Sequence, residues 1–107
     1  MSEFTNVTAI REANIYFDGK VTSRTVVFPD GTRKTLGIMM PGEYTFDTGS
    51  AEIMEVLQGA LTVQLPDSSE WRTFTAGEQF EIPANATFSL KVEQVSDYCC
   101  SYLETGS

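Results

Sequence analysis

EIMEVLQGALTVQL, residues 52–65, is two short apolar runs joined through a glycine. Ile53, Met54, Val56 and Leu57 form the first run, and Leu61, Val63 and Leu65 form the second in strict alternation. A period of two means a strand with one buried and one solvated face. Gly59 supplies a tight turn or a close approach of backbones between them. The stretch therefore predicts two strands.

The flanking sequence reads the same way. From Asn14 onward, turn signals recur about every ten residues, the spacing of an all-β sandwich or barrel. Lys20–Phe28 is rich in Val and Thr and ends at the turn Pro29-Asp-Gly31. Arg33–Met40 follows, stopped by Pro41-Gly42, and then Glu43–Asp47. Beyond the central stretch come Trp71–Phe74, Phe80–Ile82, Thr87–Glu93 and Asp97–Leu103, the last with Tyr98, Cys100 and Tyr102 on one face. No window combines a helical period with a cap and a stop. The expectation is an all-β, single-domain small β-barrel over residues 14–103, because closure removes exposed strand edges. Residues 1–13 read as an N-terminal arm, and residues 104–107 as a disordered C-terminal tail.

Composition narrows the function. The chain has 107 residues, a net charge of −8 and an isoelectric point near 4.3. That charge argues against nucleic acid or an anionic membrane as partner. There is no spanning apolar run and no signal-peptide pattern, which predicts a cytoplasmic protein. Histidine is absent. Histidine-based nucleophile systems, histidine general bases and the commonest metal ligand are therefore excluded. The two cysteines, Cys99 and Cys100, are adjacent and point to opposite faces of a strand, so they read as reduced, buried thiols.

The punctuation of two segments resembles the cupin family of small, jelly-roll-like β-barrels: Glu52, six residues, Gly59; then Gly77, five residues, Pro83. In that family the first segment carries two histidines and a glutamate around a metal. Here the glutamate position falls on Glu52 and the histidine positions fall within 45–48. The second segment's histidine position is Phe88, and its usual glycine is Asn85. Three of the four ligand positions hold no histidine, so a metal-free site is expected.

A longer match runs through Asn14-x-Tyr-Phe-x-Gly-Lys-Val21, Arg33 to Gly37-Ile-Met, Gly42-x-Tyr-x-Phe46-x-Thr48 and Glu52-x-Met54-x-Val56. It continues through Gly59-Ala-Leu-x-Val63, Leu65-Pro-Asp67, Trp71, Ala76-Gly77 and Tyr102-Leu103. This pattern resembles the pyrimidine/purine nucleoside phosphorylase family, which are small homodimeric cupins. The resemblance implies phosphate-dependent cleavage of ribonucleosides to free base and ribose 1-phosphate, with no cofactor. The implied partners are a nucleoside, inorganic phosphate and a second copy of the chain.

Such a reaction suits a chain without histidine. Phosphate is itself the nucleophile, and an oxocarbenium-like transition state is served by positioning and electrostatics. For phosphate, Arg33 is the first candidate and Arg24 the second, because a guanidinium grips two oxygens at once. Lys34 ranks below them, because neighbours on a strand face opposite ways. For the base, an aromatic platform tolerates every nucleobase. Tyr44, Phe46, Phe88 and Tyr102 are candidates, Phe46 and Phe88 before the others, and Met54 is a further base or ribose contact. Glu52 can accept hydrogen bonds from two ribose hydroxyls, while Tyr44 and Tyr102 are candidate proton donors to the leaving base. Two other classes stay open: a ligand-binding cupin without catalysis, and a sugar-phosphate isomerase on the same fold.

Overall fold

The computed structural model describes residues 3–103. Eleven strands run in chain order: β1 (Thr8–Ala9), β2 (Asn14–Tyr16), β3 (Val21–Val27), β4 (Arg33–Met39), β5 (Gly42–Asp47), β6 (Ala51–Gln58), β7 (Ala60–Gln64), β8 (Trp71–Thr75), β9 (Gln79–Ile82), β10 (Thr87–Val92) and β11 (Ser96–Leu103). The strands expected from residue 20 onward are all present, with ends shifted by a residue or so. The one helical element among the described residues is a 3-10 turn at Phe17–Gly19.

The strands do not close into one hydrogen-bonded barrel. They form two antiparallel sheets, a jelly-roll-like sandwich. The larger has the order β1-β3-β4-β11-β6-β9, with β2 also on the β3 edge; the smaller has the order β5-β10-β7-β8. Two packed sheets bury their inner faces as a barrel does and keep only short edges.

Gly59 is one of the places where the chain passes from one sheet to the other, between β6 and β7. It has φ of +83°, and a Cβ there would lie 2.9 Å from the Val95 carbonyl oxygen and 3.0 Å from the Ser96 Cα. Both expectations for this glycine therefore hold at once: a left-handed turn and a close approach. Ser96, fully buried, pins the crossing. Its hydroxyl accepts from the Ala60 N–H at 3.2 Å. It donates to the carbonyl of Gln94 or Ala60, at 2.9 and 3.0 Å.

The core lies between the sheets. Met54 and Val56 on β6 and Leu61 and Val63 on β7 meet Ile82, Leu90 and Val92 there. Leu61, Val63, Ile82 and Leu90 are fully buried. Burial of such side chains stabilises by about 1.5–3 kcal/mol each. Alternation along residues 52–65 is therefore the pattern that joins the two sheets.

The N-terminal arm lies along its own sheet. Thr8 and Ala9 pair with Val27 and Val26, and the Phe4 ring meets Phe28 edge-on at 5.2 Å. The expected C-terminal tail, 104–107, lies outside the described residues. No helix among the described residues is long and apolar enough to cross a membrane.

Candidate functional site

Between the sheets, toward one end, is a cavity of about 250 Å³. Its two walls differ in chemistry. The larger sheet contributes Ser23, Thr35, Met39, Glu52, Met54, Tyr98, Cys100 and Tyr102. These alternate along β3, β4, β6 and β11 as an inward face must. The register sets them side by side: Thr35 opposite Cys100, Met54 opposite Cys100, and Glu52 opposite Tyr102. The smaller sheet contributes Phe46 from β5 and Phe88 from β10. These two are directly paired in the ladder, and their rings stack at 5.8 Å with 24° between planes. One wall is thus hydroxyl and carboxyl, the other aromatic. Asp47, Gly49 and Tyr16 complete the rim.

Glycine shapes the polar wall. Gly37 lies opposite Tyr98 on the neighbouring strand. A Cβ there would lie 2.7 Å from the Tyr98 Cζ and hydroxyl oxygen. The missing side chain leaves room for the Tyr98 ring over β4, and Tyr98 and Ser23 both line the cavity. Next to it, the Thr35 and Tyr102 hydroxyls are 3.4 Å apart.

The electrostatics follow from burial. Glu52 is held above the usual carboxylate range because it is desolvated, and the Cys100 thiol beside it opposes the rise. Tyr98, Cys100 and Tyr102 are all pushed up, in each case chiefly by burial, so they stay protonated hydrogen-bond donors. Cys99, on the opposite face of β11, is raised to about 11 for the same first reason. Neither cysteine is a ready thiolate.

The predicted site residues divide. Glu52, Met54, Phe46, Phe88 and Tyr102 come together around the cavity. Tyr44 does not line it. Its ring is buried in the core, and its hydroxyl donates to the Met40 carbonyl at 2.6 Å. Tyr44 shares a face with Phe46 but sits deeper along β5. Arg24 does not reach the cavity either. It stands between Ser23 and Thr25, whose hydroxyls both bond the Asn14 amide on the inner side. Its own side chain is exposed, and its Nε–H donates to the Arg11 carbonyl at 3.3 Å. Arg33 is exposed at the start of β4, two residues before Thr35 and so on the same face. Lys34 faces away, near the rings of Phe4 and Phe28. No lysine or arginine is among the residues lining the cavity. Among the described residues, no three His, Cys, Asp or Glu side chains gather as a metal site would need.

Ser23, Thr35, Tyr98, Asp47 and Tyr16 line the cavity without having been singled out for it. Alternation from Tyr102 reaches Tyr98, and alternation from Arg33 reaches Thr35. The face of Tyr16 follows from its pairing with β3, which the sequence does not display.

The sequence profile of the pyrimidine/purine nucleoside phosphorylases matches residues 11–102. The chain belongs to the pyrimidine/purine nucleoside phosphorylase family. A family member from Syntrophotalea carbinolica is 65% identical over 104 residues, covering 97% of this chain and all of that one. One from Geobacter sulfurreducens is 66% identical over 103 residues, covering 96% and 99%. Among solved structures, a protein of unknown function from Acinetobacter sp. ADP1 superposes with a TM-score of 0.92 at 41% identity, covering 94% of this chain and 98% of that one. An RmlC-like cupin from Shewanella frigidimarina superposes with a TM-score of 0.69 at 15% identity over 85% and 81% of the chains, a likeness of fold.

Proposed function

We propose that this protein cleaves purine and pyrimidine ribonucleosides with inorganic phosphate, releasing the free base and ribose 1-phosphate. The observation that carries the reading is the two-walled cavity. A nucleoside is a flat apolar ring joined to a polyhydroxyl ring. The Phe46–Phe88 wall suits the first and the Glu52, Thr35, Tyr98 and Tyr102 wall suits the second. Family membership supports the same reading.

Glu52 accepts from the ribose hydroxyls and, when ionised, stabilises the oxocarbenium-like charge. A phosphate oxygen attacks ribose C1′ as the bond to the base breaks. The base nitrogen that leaves gains a proton, and the Tyr102 hydroxyl on the cavity wall is the proposed donor, reprotonated from the phosphate. The cavity volume is just below the range of about 300–1,000 Å³ usual for small-ligand sites, so a nucleoside fills it and phosphate enters at the rim. Arg33, on the cavity-side face at the start of β4, is the proposed phosphate anchor. Base stacking without edge-reading hydrogen bonds explains a broad choice of base.

The protein acts as a homodimer in this reading. The outer face of the larger sheet leaves Ile15 66%, Leu36 37%, Ile38 37% and Leu57 37% exposed, an apolar surface for a second copy to cover. Light scattering that returns a monomer mass at micromolar concentration would remove this element.

One observation favours a second reading, a ligand-binding protein without catalysis: the cavity lining has no cation to hold phosphate. Incubation with uridine or adenosine, with and without phosphate and with a chelator, separates the two. Phosphate-dependent release of base and ribose 1-phosphate that survives the chelator supports the phosphorylase. Absence of release across several nucleosides overturns it.

A further inference from the structure

The segment Tyr16-Phe17-Asp18-Gly19 adopts an unusual backbone beside the cavity. Phe17 and Asp18 both hold left-handed φ angles, 51° and 55°. Left-handed backbone in a bulky aromatic residue is an outlier, and such outliers gather at functional sites. The turn delivers two rings to one place. Phe17 meets Phe46 edge-on at 5.3 Å and lies 5.0 Å from Tyr44. Tyr16 stands at 80° to Phe46, 6.3 Å away, and lines the cavity.

Tyr16 is nevertheless 44% exposed. It ends β2, an edge strand held to β3 by the three pairs Asn14–Ser23, Ile15–Thr22 and Tyr16–Val21. Its neighbour Ile15 points outward, so Tyr16 points in. A ring that lines a cavity and keeps this much surface uncovered has a face free for a ligand. A planar group lying parallel to Phe46 and Phe88 would present its edge to that face, the T-shaped geometry aromatic groups favour.

We infer that Tyr16 is a specificity-determining residue of the reaction: it closes the aromatic wall at the cavity rim and contacts the outer edge of the nucleobase. The left-handed turn at Phe17–Asp18 positions it there, with Phe17 wedged behind against Phe46. A purine extends further from the ribose than a pyrimidine, so the contact is larger for purines. Tyr16 therefore sets the ratio of purine to pyrimidine turnover, while the Phe46–Phe88 platform serves both. The inference rests on the phosphorylase reading above.

The test is steady-state phosphorolysis of adenosine and uridine by wild type, Tyr16→Ala and Tyr16→Phe, with each substrate's KM separated from that of phosphate. Edge-to-face aromatic contacts are worth about 2- to 12-fold in binding. Tyr16→Ala is expected to raise the adenosine KM within that range and the uridine KM less. The phosphate KM should stay within about twofold, and Tyr16→Phe should match wild type. Where Tyr16→Ala does not fold by circular dichroism, Tyr16→Leu takes its place, keeping bulk without a ring. An active wild type whose Tyr16 variants leave the adenosine KM or the adenosine-to-uridine ratio unmoved overturns this inference alone. A wild type without phosphate-dependent release overturns the phosphorylase reading and this inference together.

Discussion

Replacing Gly37 by alanine tests how the fold builds the polar wall. The new methyl would meet the Tyr98 ring and hydroxyl oxygen at 2.7 Å and the Thr22 carbonyl oxygen closer still. That is roughly 0.8 Å or more inside the optimum of about 3.5–4.0 Å for carbon contacts. Tyr98 has nowhere to retreat. It is 5% exposed, belongs to the core, and pairs with Val56 on its far side. The Thr22 carbonyl is backbone, so relief on that side means spreading β3 from β4. Overpacking of this kind costs about 1–3 kcal/mol, and the backbone contact puts Gly37→Ala near the upper end. For a domain of this length, each kcal/mol lowers Tm by about 4–8 °C, so a fall of about 10–20 °C is expected. Thermal and urea melts measure it, with the urea midpoint moving and the slope unchanged. Because Tyr98 lines the cavity, a displaced ring should raise the nucleoside KM as well. Tyr98→Leu in the Gly37→Ala background should recover part of the loss, with a coupling beyond about 0.5 kcal/mol. A Gly37→Ala protein within about 0.5 kcal/mol of wild type, or one with no coupling to Tyr98, would refute the reasoning.

Two further changes probe the site. Glu52→Gln should lower kcat/KM by roughly 10- to 150-fold, the worth of hydrogen bonds to a charged group. It should also remove the acid limb of the pH–rate profile, which in wild type lies above the ordinary carboxylate value of 4.5. Because the folded pKa is raised, the stability tied to the protonated group is fully present below 4.5 and is lost as pH rises through the folded value. Glu52→Gln should therefore gain in Tm relative to wild type as pH rises above 4.5; a difference that stays constant as pH rises contradicts the buried, raised carboxyl. Arg33→Ala should raise the phosphate KM roughly 10- to 150-fold with the nucleoside KM near wild type, and initial rates over a phosphate series decide whether Arg33 is the anchor.

Strand parity made much of this site legible. Glu52 and Met54 share a face, as do Tyr98, Cys100 and Tyr102, and the structure turns both faces to the cavity. Parity gives the face and not the depth, which is why Tyr44 ends in the core while Phe46, two residues on, reaches the cavity. Parity also needs the right anchor. Arg24 falls on the outer face because Ser23 and Thr25 take the inner side. Gly59 marks one of the crossings between the two sheets of the jelly roll, where the sequence shows a turn or a close approach without saying which strands it joins. Asn85 stands where the related fold usually has glycine, and it holds φ of +52°. Asparagine tolerates that region better than other residues with a side chain, so the turn survives the change.

The pairing of Phe46 with Phe88 gives the cavity its logic. In metal-binding cupins the corresponding region of the first segment and the position of Phe88 supply imidazoles to an ion. Here the two strands meet in the same register, Phe46 directly opposite Phe88. Their rings stack 5.8 Å apart, at or beside positions that hold ligands in metal-binding cupins. A metal site concentrates charge at a point, whereas the plane of an aromatic ring is apolar and of uniform character. The plane cannot polarise a carbonyl or activate water, but it holds any flat ring with little regard to its edge. Glu52 keeps its position in the first segment and finds no cation among its cavity neighbours. Its carboxyl is then free to accept hydroxyls, and its burial makes it sensitive to any positive charge that develops nearby. In the phosphorylase reading proposed above, aromatics where metal-binding cupins have imidazoles suit a planar base and a sugar cation.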